Sequence, residues 1–229
     1  VIRRPLASVL LTAASSGALL LGTGPLTHAV ERTAEPSVTA TPDPTEEPTD
    51  PTANPVNPVI ADYDGRKINL AESWEGANIC TELPNGEVHC YDTDQEALAD
   101  PDLPAQVREQ SLKASALQAS DPRDNCAADY WCLYQDANYK GRKLQFSSDG
   151  KKNLGDYGFR DKLSSVFYWV GQWSLNYGDA TIWDSRSWPL DDRQRQLEPP
   201  KGWPNFQNLP YPGGGNWNDK VDTFEVNRA

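Results

Sequence analysis

The sequence predicts a mainly β protein, a sandwich of two similar four-stranded units preceded by a small disulfide hairpin, a helical segment and a disordered linker. Three observations carry that expectation. Tyr134 and Tyr139 are separated by four residues, and Trp183 and Trp188 repeat the spacing. A polar loop running into a strand-like stretch also occurs twice, at 161–169 and 218–226. The four cysteines, Cys80, Cys90, Cys126 and Cys132, fall into two short-range pairs. Small repeated β units joined by turns make sandwiches when each must cover the apolar face of the other.

Composition sets the outer limits. The 229 residues carry 33 acids against 21 bases, for a net charge of −12, and only 38% are hydrophobic. The acidic balance argues against a nucleic-acid partner. No apolar run approaches the ~20 residues of a membrane span. The only histidines are His28 and His89, so little imidazole chemistry is on offer.

At the start of the chain, Ile2-Arg3-Arg4 precedes a small and apolar stretch at 6–21, and Thr27-His28-Ala29 has the small residues a signal peptidase requires. Residues 1–29 are therefore expected to be a secretory signal peptide, with a mature chain starting near Val30, secreted to the extracellular space and free of the membrane after cleavage. Export places the cysteines in a compartment where disulfides persist. Residues 30–58 are rich in Pro, Thr and acids, as in Pro42-Asp43-Pro44-Thr45-Glu46-Glu47-Pro48. Such a stretch cannot bury enough apolar surface to offset its ordering entropy, so a disordered linker is expected.

The remainder divides by charge and aromatic content. Residues 59–120 hold twelve acids and four bases, while 121–229 are nearly neutral; only Tyr63, Trp74 and Tyr91 of the 22 aromatics precede Cys126. In the acidic section, Asn85-Gly86 sits between two strand-like runs, a strong hairpin signal that places Cys80 opposite Cys90. A Cys80–Cys90 disulfide follows; metal binding by these thiols with His89 would need a fourth ligand. His89 then reads as a structural strand residue. Beyond it, 95–99 and 104–119 are rich in Ala, Leu, Gln and Glu, with Pro104 suited to a first helical turn. One or two short helices with a thin stripe of Val107, Leu112 and Leu117 are expected, and the acids read as a solvated face.

The section 121–229 is more informative. Cys126 and Cys132, six apart before Leu133-Tyr134, read as a local bridge. Tyr134 and Tyr139 are followed, one residue later, by Gly141, and 142–146 alternate like a half-buried strand. Two aromatics stacking across a folded-over hairpin, with Gly where a side chain is excluded, have a clear physical logic. In the second copy Leu190 stands where the first has Gly, and the interval from aromatic pair to polar loop is longer, which implies an insertion around 199–215.

These features resemble the βγ-crystallin Greek key. The segment 126–169, with its Cys pair, Leu133-Tyr134, Tyr139-Lys140-Gly141, Leu154-Gly155-Asp156-Tyr157 and Asp161-Lys162-Leu163-Ser164-Ser165-Val166, further resembles secreted actinobacterial peptidase inhibitors related to the Streptomyces metalloproteinase inhibitor. The resemblance is specific over that segment, looser to Ala229 and absent from 30–120. It implies a βγ-crystallin-like inhibitor domain at 121–229, no enzymatic activity, an extracellular protease as partner, and function as a monomer. The family holds its inhibitory bond in a disulfide loop of the second half. No cysteine follows Cys132 here, so that loop has no counterpart. The candidate contact loop is instead the Pro-stiffened 199–211, with Lys201, Trp203, Phe206 and Tyr211, unless it folds back over the sandwich. A 121–229 fragment is expected to retain activity.

The crystallin resemblance also implies calcium as a cofactor that inhibition does not require. Asp219 with Ser164 would form one site and Asp161 with Asp222 the other, oxygen donors of the kind Ca²⁺ takes. Arg160 departs from the pattern by replacing the first acid of one loop, and its charge opposes a dication. Carbohydrate binding by Trp173, Trp183 or Trp203 is a further option within the binding class. No nucleophile with a paired base is visible.

Overall fold

The computed structural model describes residues 55, 57–117, 122–171, 178–187, 189–199 and 202–227. The signal-peptide expectation and nearly all of the linker expectation fall outside these residues, as do Trp173, Trp188 and Lys201.

Two hairpins open the described chain. β1 (Ile60–Tyr63) and β2 (Arg66–Asn69) pair around Asp64-Gly65, which both adopt positive φ, 52° and 71°. That is the mirror-image turn whose twist matches paired strands. β3 (Ile79–Glu82) and β4 (Val88–Tyr91) form the expected hairpin, with Cys80 opposite Cys90 and bridged to it. Its turn is a three-residue loop: Gly86 N–H bonds to Leu83 O, and Leu83 N–H to Glu87 O. Thr93 and Glu96 then close a capping box on α1 (Asp94–Ala99), and α2 (Ala105–Leu117) follows.

Eight further strands build the sandwich: β5 (Trp131–Asp136), β6 (Lys140–Phe146), β7 (Gly150–Asn153), β8 (Ser165–Tyr168), β9 (Asp179–Asp184), β10 (Arg193–Leu197), β11 (Gly202–Trp203) and β12 (Thr223–Asn227). One sheet runs β11-β8-β5-β6 and the other β10-β9-β12-β7. The third strand of each unit therefore crosses to the sheet of the other, giving two interlocked Greek keys of βγ-crystallin type. The core between the sheets is centred on Trp131, which stacks on Tyr168 at 4.7 Å and meets Phe224 edge-on at 5.7 Å. Tyr134 and Tyr139 meet at 5.6 Å in the expected folded hairpin. Tyr139 itself has φ 60°, held by Ser165 Oγ, which accepts its N–H.

The composition boundary at 120/121 is not a boundary in packing. β3 pairs in parallel with β6, so the larger sheet continues as β11-β8-β5-β6-β3-β4-β1-β2. Ala61, Ile68, Leu70, Trp74 and Ala77 share one core with Trp131, Leu144 and Phe224. A separate cluster on the opposite face joins Leu83, Leu98 and Leu103 to Tyr130, Cys132 and Tyr134, beneath the helices and the Cys126–Cys132 bridge. β6 is consequently buried on both faces rather than half-buried: Leu144 and Phe146 enter the sandwich, while Lys143 and Gln145 lie under the helical layer. Ser111 of α2, fully buried, accepts the N–H of Ala128 and fixes the helix where its apolar stripe is thin.

The contact between sections is testable at one glycine. Gly158 has φ 61°, and a Cβ there would lie 2.2 Å from the carbonyl oxygen of Leu70. Gly158→Ala is expected to lower the thermal midpoint by more than the roughly 1–3 kcal/mol of a strained left-handed residue, because backbone must also move. A midpoint within a degree or two of wild type would mean that 59–70 does not pack there. A 121–229 fragment, deprived of half the larger sheet, is expected not to fold cooperatively by calorimetry.

Candidate functional site

The two polar loops, 160–165 before β8 and 218–223 before β12, meet at one end of the sandwich and mirror each other bond for bond. Asp161 N–H bonds to Val221 O and Asp219 N–H to Leu163 O, both at 3.2 Å. Ser164 N–H bonds to Tyr134 O, as Asp222 N–H does to Trp183 O. Leu154 N–H bonds to Asp222 O, as Phe206 N–H does to Ser164 O. Asp161 and Asp219 share left-handed backbone, φ 52° and 55°. Such exchange relates the two halves by an internal pseudo-twofold and pairs off the four residues of the expected calcium sites.

The two halves differ in chemistry. On one side Ser164 Oγ donates to Asp219 Oδ1 at 3.3 Å, beside a cavity of about 250 Å³ lined by Gln135, Asp136, Asp161, Lys162, Ser164 and Asp219, with the Lys162 ammonium turned to the carbonyl of Gly158. Burial raises the Asp219 carboxyl above its usual range; Asp136 adds to the shift, and hydrogen bonds from Ser164 and Asn218 oppose it. Clustered carboxylates with a hydroxyl fit a hard cation. Asp136 was not singled out in the sequence, because it sits at the end of β5, far from either polar loop. On the other side, Arg160 Nε lies 2.5 Å from Asp222 Oδ1 and 3.3 Å from Asp161 Oδ2. A guanidinium already fills this position, and the residues there do not fit a metal ion.

The aromatic side chains expected to make contact in 199–211 are not presented to solvent, although Pro204, Gln207, Asn208 and Pro210 are exposed. Phe206 is fully buried and, by the pseudo-twofold, is the counterpart of core residue Leu154. Trp203 lies in β11 and stacks on Trp131 at 6.2 Å. Tyr211 meets Trp217 edge-on at 5.0 Å and donates its hydroxyl to Asp184. The aromatic side chains of the segment thus pack back onto the sandwich, and Lys201 lies outside the described residues.

Between β9 and β10, residues 189–192 are exposed. Leu190 there is 48% exposed, and only Ile60 and Leu190 are exposed large hydrophobics among the described residues. Three bonds brace the loop: Ser185 N–H to Asp222 Oδ2 at 2.6 Å, Arg186 N–H to Asp192 Oδ1 at 2.9 Å, and Leu190 N–H to Ser187 O at 3.0 Å. Away from this end, His89 contacts Asp100 Oδ2 through Nδ1 at 3.0 Å. Asp100 also accepts the Tyr91 hydroxyl and the Asp102 N–H, so its oxygens are already used. With both cysteines oxidised, neither thiol is available to join His89 in holding a metal ion; its ring lies instead beside the Asp100 and Asp102 carboxylates.

The geometry defines a disulfide-stapled double Greek key with one braced, exposed loop, and comparison with known proteins accords with the class inferred from the sequence. Residues 119–188 match the model of peptidase inhibitor family I36, a match that spans the first Greek key and enters the second. Among solved structures, the chain is similar to a βγ-crystallin from an archaeon, at 16% identity over 43% of this chain and 98% of that one, with a TM-score of 0.29. It is also similar to a βγ-crystallin domain from Clostridium beijerinckii, at 14% identity over 43% and 97% of the two chains, TM-score 0.28. The N-terminal domain of Protein S matches at 11% identity over 42% and 93%, TM-score 0.28. No curated protein matches the chain.

The buried Asp222 carboxyl is pushed up to about 7, first by desolvation and then by Asp161 and Asp184, against the Ser185 N–H and Arg160. Its folded value exceeds its ordinary 3.8, so the folded protein holds a proton that the unfolded chain has released across that interval. The stabilisation from this group is complete at the acid end and is lost as the pH rises through about 7. A carboxyl-carbon NMR titration should give a midpoint near neutrality; a midpoint in the ordinary aspartate range would contradict this account.

Proposed function

We propose that the chain is a secreted, non-enzymatic inhibitor of an extracellular protease, with metalloproteases the foremost targets, and that it offers the 185–192 loop to the enzyme. The observation that carries this reading is Leu190, a half-exposed aliphatic side chain on a loop tied to the sandwich at Ser185 and closed on itself by Arg186 and Asp192. A loop already ordered loses little entropy on docking, which is how small inhibitors convert modest area into affinity. The match of 119–188 to a peptidase inhibitor family supports the same reading, and it takes in the first part of this loop. Two disulfides suit an exported protein.

The test uses the full mature chain against a panel of secreted metallo- and serine proteases. Inhibition is expected to be stoichiometric, and Leu190→Asp is expected to weaken it about tenfold or more, the cost of losing one buried aliphatic contact, with an unchanged thermal midpoint. Shortening 199–211 should instead unfold the protein, since Phe206 belongs to the core. Full protease activity across the panel with the wild-type protein would sink the inhibitor reading.

A second reading is calcium binding at the Ser164/Asp219 position, favoured by the cavity those residues share with Asp136. Calorimetric titration should detect one weak site, removed by Asp219→Ala and weakened by Asp136→Asn. Two equivalent sites would contradict it.

A further inference from the structure

We infer that the Arg160 guanidinium is a built-in cation that locks the root of the loop after β9, at 185–187, onto the second Greek key, so that the conformation of this root is independent of any metal ion. The inference rests on the inhibitor reading only for the importance of the loop; the lock itself stands on geometry.

Asp161 comes from one polar loop, Asp222 from the other, and Asp184 from the end of β9. All three carboxylates interact electrostatically at this place. Asp222 is 2% exposed, and its ionised form, which the fold holds only above about pH 7, requires a compensating charge or donors. Arg160 Nε supplies the charge at 2.5 Å while also meeting Asp161 at 3.3 Å, and so bridges the two polar loops. The second oxygen of Asp222 accepts the N–H of Ser185, the first residue after β9. The relay therefore runs from guanidinium to carboxylate to the backbone at the root of the loop. Also nearby are the Lys220 ammonium, which acts on Asp161, and the neutral Tyr211 hydroxyl, which donates to Asp184.

Removing Arg160 would leave three carboxylates converging without their bridging cation. Such a set repels itself and turns into an oxygen site for a hard dication. The related position across the pseudo-twofold has no arginine and has an open cavity, which makes it the internal control. Arg160 thus acts as a positioning residue for the loop and takes the place an ion would occupy.

Hydrogen exchange on the full chain, with no protease present, tests this independently of inhibition. In wild type, exchange at 185–187 should be the same in millimolar calcium and in chelator. In Arg160→Asn, exchange at Ser185 should rise about tenfold in chelator, the scale expected when a charge-assisted hydrogen bond loses its support. Calcium should then restore it. Arg160→Lys keeps a positive charge and should remain insensitive to calcium, and it decides the matter if the asparagine variant does not fold. A calcium response at 185–187 in wild type or in Arg160→Lys overturns the inference. So does unchanged exchange in Arg160→Asn, or loosening that calcium does not reverse.

Discussion

The arrangement on which the rest of the protein depends is the double burial of β6. Its Leu144 and Phe146 complete the core between the sheets, while Lys143 and Gln145 point into the helical layer on the other side. A buried ammonium is costly unless it is paired and hydrogen-bonded. Lys143 is held by Asp94 at 2.6 Å and by the carbonyl of Asn125, beside the ring of Tyr134. Burial pulls it below the ordinary lysine range, and Asp94 opposes the shift. Gln145 is satisfied in the same manner by Ala127 N–H and Thr81 Oγ. Asp94 begins α1, Asn125 precedes the second disulfide, and Thr81 lies on β3. Three separate stretches of chain are therefore required before this strand can be buried at all.

That requirement explains why the acidic section and the aromatic section are one folded unit. A Greek-key sandwich alone would leave the outer edge of β6 unpaired and its polar side chains in water. Here β3 occupies the edge in parallel, and the two hairpins extend the sheet further. Trp74 stacks against Phe159 at 5.8 Å and donates to Tyr157 O, so the added strands also plug the end of the sandwich. The disulfides serve the two faces of this construction, Cys80–Cys90 across the first neighbouring hairpin in the sandwich core and Cys126–Cys132 at the start of β5 in the cluster on the opposite face.

At the other end of the molecule, symmetry and its breaking separate two pairs of otherwise equivalent loop residues. The backbone bonds of the two polar loops are equivalent, yet one side joins Ser164 to Asp219 beside a cavity and the other closes on Arg160. The closed side is the one attached to the 185–192 loop, through Ser185. The link through Ser185 thereby braces the root of the loop proposed to meet a protease.

Much of this was legible in the residues. Short-range cysteine spacing and Asn85-Gly86 determined the first disulfide hairpin, since a turn with a left-handed glycine forces its neighbours into register. The repeated aromatic pair and polar loop determined the two Greek keys for the same local reason. Asp64-Gly65 carried an equally clear turn signal for β1 and β2, although those strands are too short and too polar to announce themselves. The 120/121 boundary, by contrast, followed composition, and composition is blind to a parallel pairing such as β3 with β6, whose partners lie more than sixty residues apart. Sequence also marked 199–211 as a contact loop because Pro, Gly and Trp serve equally in exposed loops and in irregular core; only the packing of Phe206 against the sandwich decided between them. Arg160 was visible as a departure from the acidic pattern, but whether it repelled an ion or replaced one depended on where Asp222 lies. Local spacing determines turns and strands because those interactions span a few residues, whereas the joining of edges, the burial of a loop and the meeting of a guanidinium with two carboxylates exist only once distant stretches of chain have been brought together.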